Sequence, residues 1–132
     1  MSTHAKWFLI LGGFTAALSV AFGAAGWHVL KSSLAVNDTL GLFPMALQYH
    51  QLHALALLIL GLLVARFPTI PCFVWAGWLI FVGILLFSGT LYLRSITGTH
   101  GFPVVTSVGG SLFIIGWLLC TMGAIRLQRN PS

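Results

Sequence analysis

The stretch Cys72–Leu93, CFVWAGWLIFVGILLFSGTLYL, runs for 22 residues without an Asp, Glu, Lys or Arg. As an α-helix it would extend about 33 Å at ~1.5 Å per residue, enough to cross a hydrocarbon core of about 30 Å. Three further stretches have the same character: Trp7–Leu30, Phe43–Ala65 and Val104–Ile125. In lipid, backbone polar groups must find partners within the spanning structure, which leaves helices or closed barrels. The strict alternation of a membrane barrel strand is absent, so helices are expected. The fold class read from the sequence is therefore an all-α integral membrane protein, a four-transmembrane-helix bundle with short loops. It is expected to form a single membrane domain over residues 1–132, with no soluble domain.

Composition points the same way. Of the 132 residues, 58% are apolar and only 5% charged, with a mean hydropathy of +1.02. A soluble globular chain carries roughly a quarter charged residues, so this chain could not clothe a water-facing surface. A soluble enzyme, a disordered protein and a disulfide-stapled secreted domain are excluded. The net charge of +5 reflects a shortage of acids and no basic patch. Lys6, Lys31, Arg66, Arg94, Arg126 and Arg129 fall singly or in pairs at the edges of apolar runs, where they anchor spans at the headgroups and offer no nucleic-acid surface.

Lys6, Arg66, Arg126 and Arg129 share one side of the expected topology, and Lys31 and Arg94 the other. The excess of positive charge predicts both termini in the cytoplasm of a bacterial inner membrane. The first stretch is read as a true span, because it is longer than the apolar region of a signal peptide. Cys72 and Cys120 then lie toward the cytoplasm, where thiols stay reduced. The five tryptophans, Trp117 among them, read mostly as interfacial anchors.

Lipid removes the ordinary hydrophobic drive for helix association, so small residues that admit a neighbouring backbone mark packing seams. The first span carries Gly13, Ala17, Ala21 and Ala25 at four-residue spacing, beside a second row of Thr15, Ser19 and Gly23. It is expected either at the centre of its own bundle or shared with another chain. The fourth span carries Gly109, Gly116 and Gly123 at seven-residue spacing, the stripe of a left-handed crossing.

Polar residues in or beside spans are costly and therefore informative. They gather in the half away from the termini: His28, Asp38, Gln48, Tyr49, His50, Gln51, His53, Tyr92, Arg94 and His100. His50 and His53 share a helix face at i, i+3, so their rings could bind one ion, with His28 and His100 completing a copper or zinc site. Beside that stands the structural reading, in which His53 hydrogen-bonds to a hydroxyl, an amide or a backbone carbonyl. A proton-responsive role with Asp38 as partner is the third reading. Arg94 reads as a headgroup anchor.

Catalytic chemistry is hard to assemble from this inventory. The chain has one Asp and no Glu, so no carboxylate pair can form. Ser88-Gly89-Thr90 has no strand-to-helix turn to make it a nucleophile elbow. Gly109-Gly110 lacks the other glycines and the lysine of a phosphate loop.

The segments Gly26–Lys31 (GWHVLK), Tyr49–Leu58 (YHQLHALALL), Ala76–Gly98 (AGWLIFVGILLFSGTLYLRSITG) and Gly109–Trp117 (GGSLFIIGW) resemble the small bacterial inner-membrane family typified by the YgdD and YwdK proteins. The likeness covers nearly the whole chain, and Leu86–Tyr92 (LFSGTLY) is its most distinctive motif. The resemblance implies four membrane helices and no known activity. It also implies that His28 and His53 are the family's characteristic histidines, whose shared contact is expected. His50 stands where the family usually has glutamine, and Ser107 where a proline commonly precedes the two glycines.

The function expected from all this is non-enzymatic: an accessory or stabilising subunit that docks in the bilayer on a larger membrane complex or on itself. The alternative is a metal-binding or transport-related protein using the outer-face histidines. An enzyme acting on a lipid or quinone, with a pocket beside His53 and Tyr92, is a weaker third.

Overall fold

The computed structural model describes residues 1–128; Arg129, counted above among the positive residues, lies outside the described residues. The elements are α1 (Thr3–Trp27), α2 (Lys31–Asn37), α3 (Leu42–Arg66), α4 (Pro71–Gly83), a π-helical segment (Ile84–Ser88), α5 (Gly89–Thr97) and α6 (Pro103–Gln128). Helix α4, the π segment and α5 run on as one span, Pro71–Thr97. Four helices are thus long and apolar enough to cross a membrane: Thr3–Trp27, Leu42–Arg66, Pro71–Thr97 and Pro103–Leu127. Lys6 and Arg94 sit inside helices that the charge-free runs excluded: Lys6 is exposed in the first turn of α1, where its stem can carry the charge outward, and Arg94 falls in the last turn of α5.

Helix starts and stops follow local chemistry. Ser2 caps α1 by accepting the Ala5 N–H at 3.2 Å. Proline opens both α4 and α6, where its missing N–H would have had no helical partner. The last turn of α5 closes on Gly98, whose φ of 69° is left-handed and whose N–H returns to the Arg94 carbonyl. Asp38 initiates α3: its carboxylate accepts the Leu42 N–H at 2.7 Å and the Phe43 N–H at 3.0 Å. The only acidic side chain in the sequence is thus engaged on a helix N-terminus, which is where a negative charge is favoured.

Packing runs in the order α1, α3, third span, α6. The two inner spans have 44% of their most apolar stretch buried, against 22% for α1 and α6. The first span is therefore an outer helix and not the centre of its own bundle. Its row Gly13, Ala17, Ala21 and Ala25 is turned away from α3: the first three are exposed, and a Cβ on Gly13 would meet nothing within 4 Å. The intramolecular seam uses the opposite face, with Gly12, Thr15 and Ser19 buried. A Cβ on Gly12 would lie 2.9 Å from the Leu58 backbone nitrogen, and one on Gly61 would lie 2.9 Å from Leu9. Both rows are small, and the choice between them rests on the bulky residues α3 presents to α1. Gly109, Gly116 and Gly123 lie against the third span, where a Cβ would meet the Phe87 backbone at 2.5 Å, Ile80 at 2.8 Å and Phe73 at 2.5 Å respectively.

Two apolar clusters result. The larger gathers Phe8, Leu57, Leu60, Phe73, Ile80 and Phe113 in the half nearer the termini. The smaller gathers Phe43, Ala46, Leu91 and Tyr92 in the other half. Between them, at the level of His50, His53 and Ser88, lies a buried polar layer.

Candidate functional site

The polar layer is built on α3. The middle of this helix is Ala54, so at ~1.5 Å per residue His53 lies within about 2 Å of the midpoint and His50 about 6 Å from it. Both are 2% exposed. Burial at this depth leaves each ring nitrogen dependent on partners from the protein itself.

His53 has both. Its Nδ1 lies 2.7 Å from the Tyr49 carbonyl, one turn back on the same helix. A carbonyl can only accept, so Nδ1 carries the proton and donates. On the other side of the ring, Trp117 Nε1–H donates to His53 Nε2 at 3.0 Å. An indole can only donate, so Nε2 must be the bare nitrogen. The surroundings thus hold the Nδ1–H tautomer, and a second ring proton would face the indole N–H. Phe113 stacks on the imidazole, with centroids 3.6 Å apart and planes 13° from parallel.

His50 points toward α1 and the third span. Its Nδ1 lies 2.9 Å from the Tyr92 hydroxyl. Phe22 of α1 stacks on the Tyr92 ring, centroids 4.4 Å apart. His50 Nε2 is buried without a hydrogen-bond partner.

The third member of the layer comes from the π segment. There Gly89 N–H reaches back five residues to the Ile84 carbonyl, which accommodates one extra residue in the turn. Ser88, at its end, donates its hydroxyl to the Ala46 carbonyl of α3 at 2.9 Å. Thr90 follows, its Oγ1 2.6 Å from that of Thr106 on α6. Serine and threonine commonly bond back to their own helix; here Ser88 crosses to a neighbour.

These placements separate the expected metal ligands. His50 engages Tyr92, whereas His53 engages α6, and the lone pair of His53 Nε2 is taken by Trp117. His28 is the exposed residue at the C-terminus of α1. Gly26 packs on Phe43, ten residues or about 15 Å along α3 from His53, so the expected contact between His28 and His53 is not formed. His100 is exposed in the last loop. Among the described residues no group of three or more His, Cys, Asp or Glu is gathered where it could hold a metal ion. Asp38 is engaged in capping α3, so it is no proton partner for the intramembrane histidines. The space beside His53 and Tyr92, where a lipid or quinone pocket was expected, is filled by the rings of Phe22, Tyr49, Phe87 and Phe113.

Trp117 is the cross-helix contact that sequence reasoning assigned elsewhere. It stands at the middle of α6, within two residues of the midpoint, and not in an interfacial belt. The signal was present in the sequence: an indole N–H in mid-span requires an acceptor at the same depth, and His53 is mid-span in the second helix.

Residues 22–110 match the family model described as "Protein of unknown function (DUF423)". Over 121 residues the chain is 38% identical to the UPF0382 membrane protein YwdK of Bacillus subtilis, covering 92% of this chain and 98% of that one. Over 126 residues it is 37% identical to the UPF0382 inner membrane protein YgdD of Escherichia coli, covering 95% and 94%. The chain belongs to this family. The DUF423 match contains His50, His53, Ser88 and Tyr92 but stops short of Phe113 and Trp117, so the α6 side of the layer lies beyond it. The names of the UPF0382 relatives place them in a membrane and, for the Escherichia coli protein, in the inner membrane. This chain is accordingly a membrane protein of a family without an assigned function. No solved structure matches it.

Proposed function

We propose that this UPF0382 protein is a non-enzymatic accessory subunit, docking through the outward face of α1 on a transmembrane helix of a larger membrane complex. One observation carries the reading: α1 has two small-residue faces, and its own bundle uses only one. Gly12, Thr15 and Ser19 pack inward, while Gly13, Ala17 and Ala21 are exposed. Small side chains let a second backbone approach closely, which is how helices associate in lipid. A purely lipid-facing surface has no such requirement.

The test is native mass spectrometry of the protein released from its own membrane in the mildest effective detergent. The wild-type chain is expected in an assembly well above its own 14.2 kDa. The Ala17→Leu/Ala21→Leu variant, altered only on the exposed face, is expected to melt like wild type and to run alone. A bare wild-type monomer, or a variant that keeps its assembly, would overturn the proposal. An assembly made only of copies of this chain would replace the larger complex with self-association.

A further inference from the structure

On the face opposite the termini, between the end of α2, the start of α3 and the loop after α5, lies a pocket of about 170 Å³. At ~30 Å³ per water this is room for about six waters, enough for a small polar headgroup. It is lined by Asn37, Asp38, Thr39, Arg94, Thr99 and His100. Its walls are held in place by the Asn37 amide, which donates to the Ile96 carbonyl at 2.8 Å and ties α2 to α5.

Arg94 differs here from a freely snorkelling anchor. Gly101, at φ 68°, closes over its stem so tightly that a Cβ there would collide with Arg94 Cγ and Cδ. Arg94 Nε is buried and has no hydrogen-bond partner. Arg94 lines the polar pocket, and with its Nε–H buried and unpartnered the guanidinium is left to seek an anionic oxygen there through its terminal N–H groups, whose planar fork suits phosphate. Asp38 lines the same pocket. A carboxylate has about four acceptor sites, and α3 occupies two of them with the N–H groups of Leu42 and Phe43. The pocket thus offers a cation seeking an anion and a carboxylate with acceptor capacity left over. A simple anion would satisfy Arg94 but meet repulsion from Asp38; a zwitterion satisfies both.

We infer that this pocket binds a phosphoethanolamine group, its phosphate on Arg94 and its ammonium on Asp38, with His100 at the rim. That chemistry occurs in a membrane phospholipid and in soluble O-phosphoethanolamine. The position of Arg94 in the last turn of the third span, at headgroup depth, favours the lipid.

The experiment is native mass spectrometry of the full chain in a neutral detergent, titrated with phosphatidylethanolamine or phosphatidylglycerol of identical acyl chains, and separately with O-phosphoethanolamine. Wild type is expected to retain phosphatidylethanolamine about fivefold better than phosphatidylglycerol. Arg94→Gln should lower that retention about tenfold, the loss expected for a hydrogen bond between charged groups. His100→Ala alters an exposed side chain and so tests the pocket even if Arg94→Gln fails to fold; it should lower retention about threefold. Equal retention of the two lipids, a folded Arg94→Gln chain with wild-type retention, or unchanged retention in His100→Ala would overturn the inference. Displacement of the lipid by an equal concentration of O-phosphoethanolamine would overturn the lipid source.

Discussion

Replacing Trp117 by Phe removes one N–H from the middle of the bilayer and leaves an aromatic ring in its place. The partner that loses is His53 Nε2, 3.0 Å away in the wild-type protein. Its ring is 2% exposed, so water cannot replace the indole. Hydrogen bonds between membrane helices are worth about 0.6 kcal/mol on average and up to ~1.7, and an acceptor left bare when buried costs about 1–3 kcal/mol. Packing adds little, since Trp117 is 41% exposed and Phe keeps much of its apolar contact. The expected loss is about 1–2 kcal/mol, a five- to thirtyfold shift in the folding equilibrium. His53→Leu should cost a similar amount for the mirrored reason, an unpartnered indole N–H. The double variant should recover part of the sum, with a coupling of about 1 kcal/mol. Reversible unfolding in mixed micelles, followed by circular dichroism, measures all four corners of the cycle. A coupling below about 0.3 kcal/mol would refute the claim that this bond helps to hold α6 against α3. Nitrogen NMR of labelled histidine adds a direct check, expecting the proton of His53 on Nδ1; a proton on Nε2 would refute the tautomer argument.

Two neighbouring glycines give an internal comparison on α6. A Cβ on Gly109 would stand 2.5 Å from the Phe87 backbone nitrogen, whereas one on Gly110 finds its nearest atom, in the Phe87 ring, at 3.5 Å. Gly109→Ala should therefore destabilise the same unfolding equilibrium by about 1–3 kcal/mol and Gly110→Ala by well under 1, and equal effects would mean that the seam is not this tight. Topology is tested by single cysteines at the exposed positions Thr3 and Ser32, in a chain whose Cys72 and Cys120 are replaced by Ala. An impermeant maleimide applied to intact cells should label Ser32→Cys and spare Thr3→Cys; the reverse pattern would put the termini outside.

The number of spans was legible because a charge-free apolar run of membrane length is rare outside a bilayer, and Cys72–Leu93 alone nearly decides it; their ends were less so, since α1 runs Thr3–Trp27 where Trp7–Leu30 was expected. Which face of a span packs was not legible. In a soluble helix the buried stripe is the apolar one, but here every face of α1 is apolar or small and polarity carries no contrast. Gly13–Ala17–Ala21 and Gly12–Thr15–Ser19 differ only by a rotation of about 165° about the helix axis, and the bulky residues that choose between them lie in α3. The π segment was hidden for a related reason: ILLFS has no composition that marks an extra residue in a turn. Polar residues were located along the chain correctly, and the structural reading of His53 accords with its bond to the Tyr49 carbonyl, but the partners on other helices were not legible. The i, i+3 spacing of His50 and His53 suggested one shared ion, whereas the roughly 60° between their directions sends one ring toward Tyr92 and the other toward Trp117.

The polar layer suggests what specifies this bundle. Ser88 ties the third span to α3 through the Ala46 carbonyl, His50 ties α3 to α5 through Tyr92, and His53 ties α3 to α6 through Trp117. A slide of one helical turn, about 5.4 Å, would break any of these bonds while costing the surrounding leucines and isoleucines little. Register among these three spans therefore rests on a few hydrogen bonds at one depth. Helix α1 is the exception. At that depth Thr15 donates back to Leu11 and Gly12, and Ser19 to Ala16, all in its own helix. The hydrogen bond it does make to another span lies at the end of the bundle, where Trp78 donates to His4 at 3.2 Å. Among the described residues α1 is positioned through the bilayer by close packing, so the fit of Gly12 under Leu58 and of Leu9 over Gly61 has to do the work that hydrogen bonds do elsewhere. A helix held that way, with a second small-residue face turned outward, is the part of this molecule whose surface most resembles an unfilled seam.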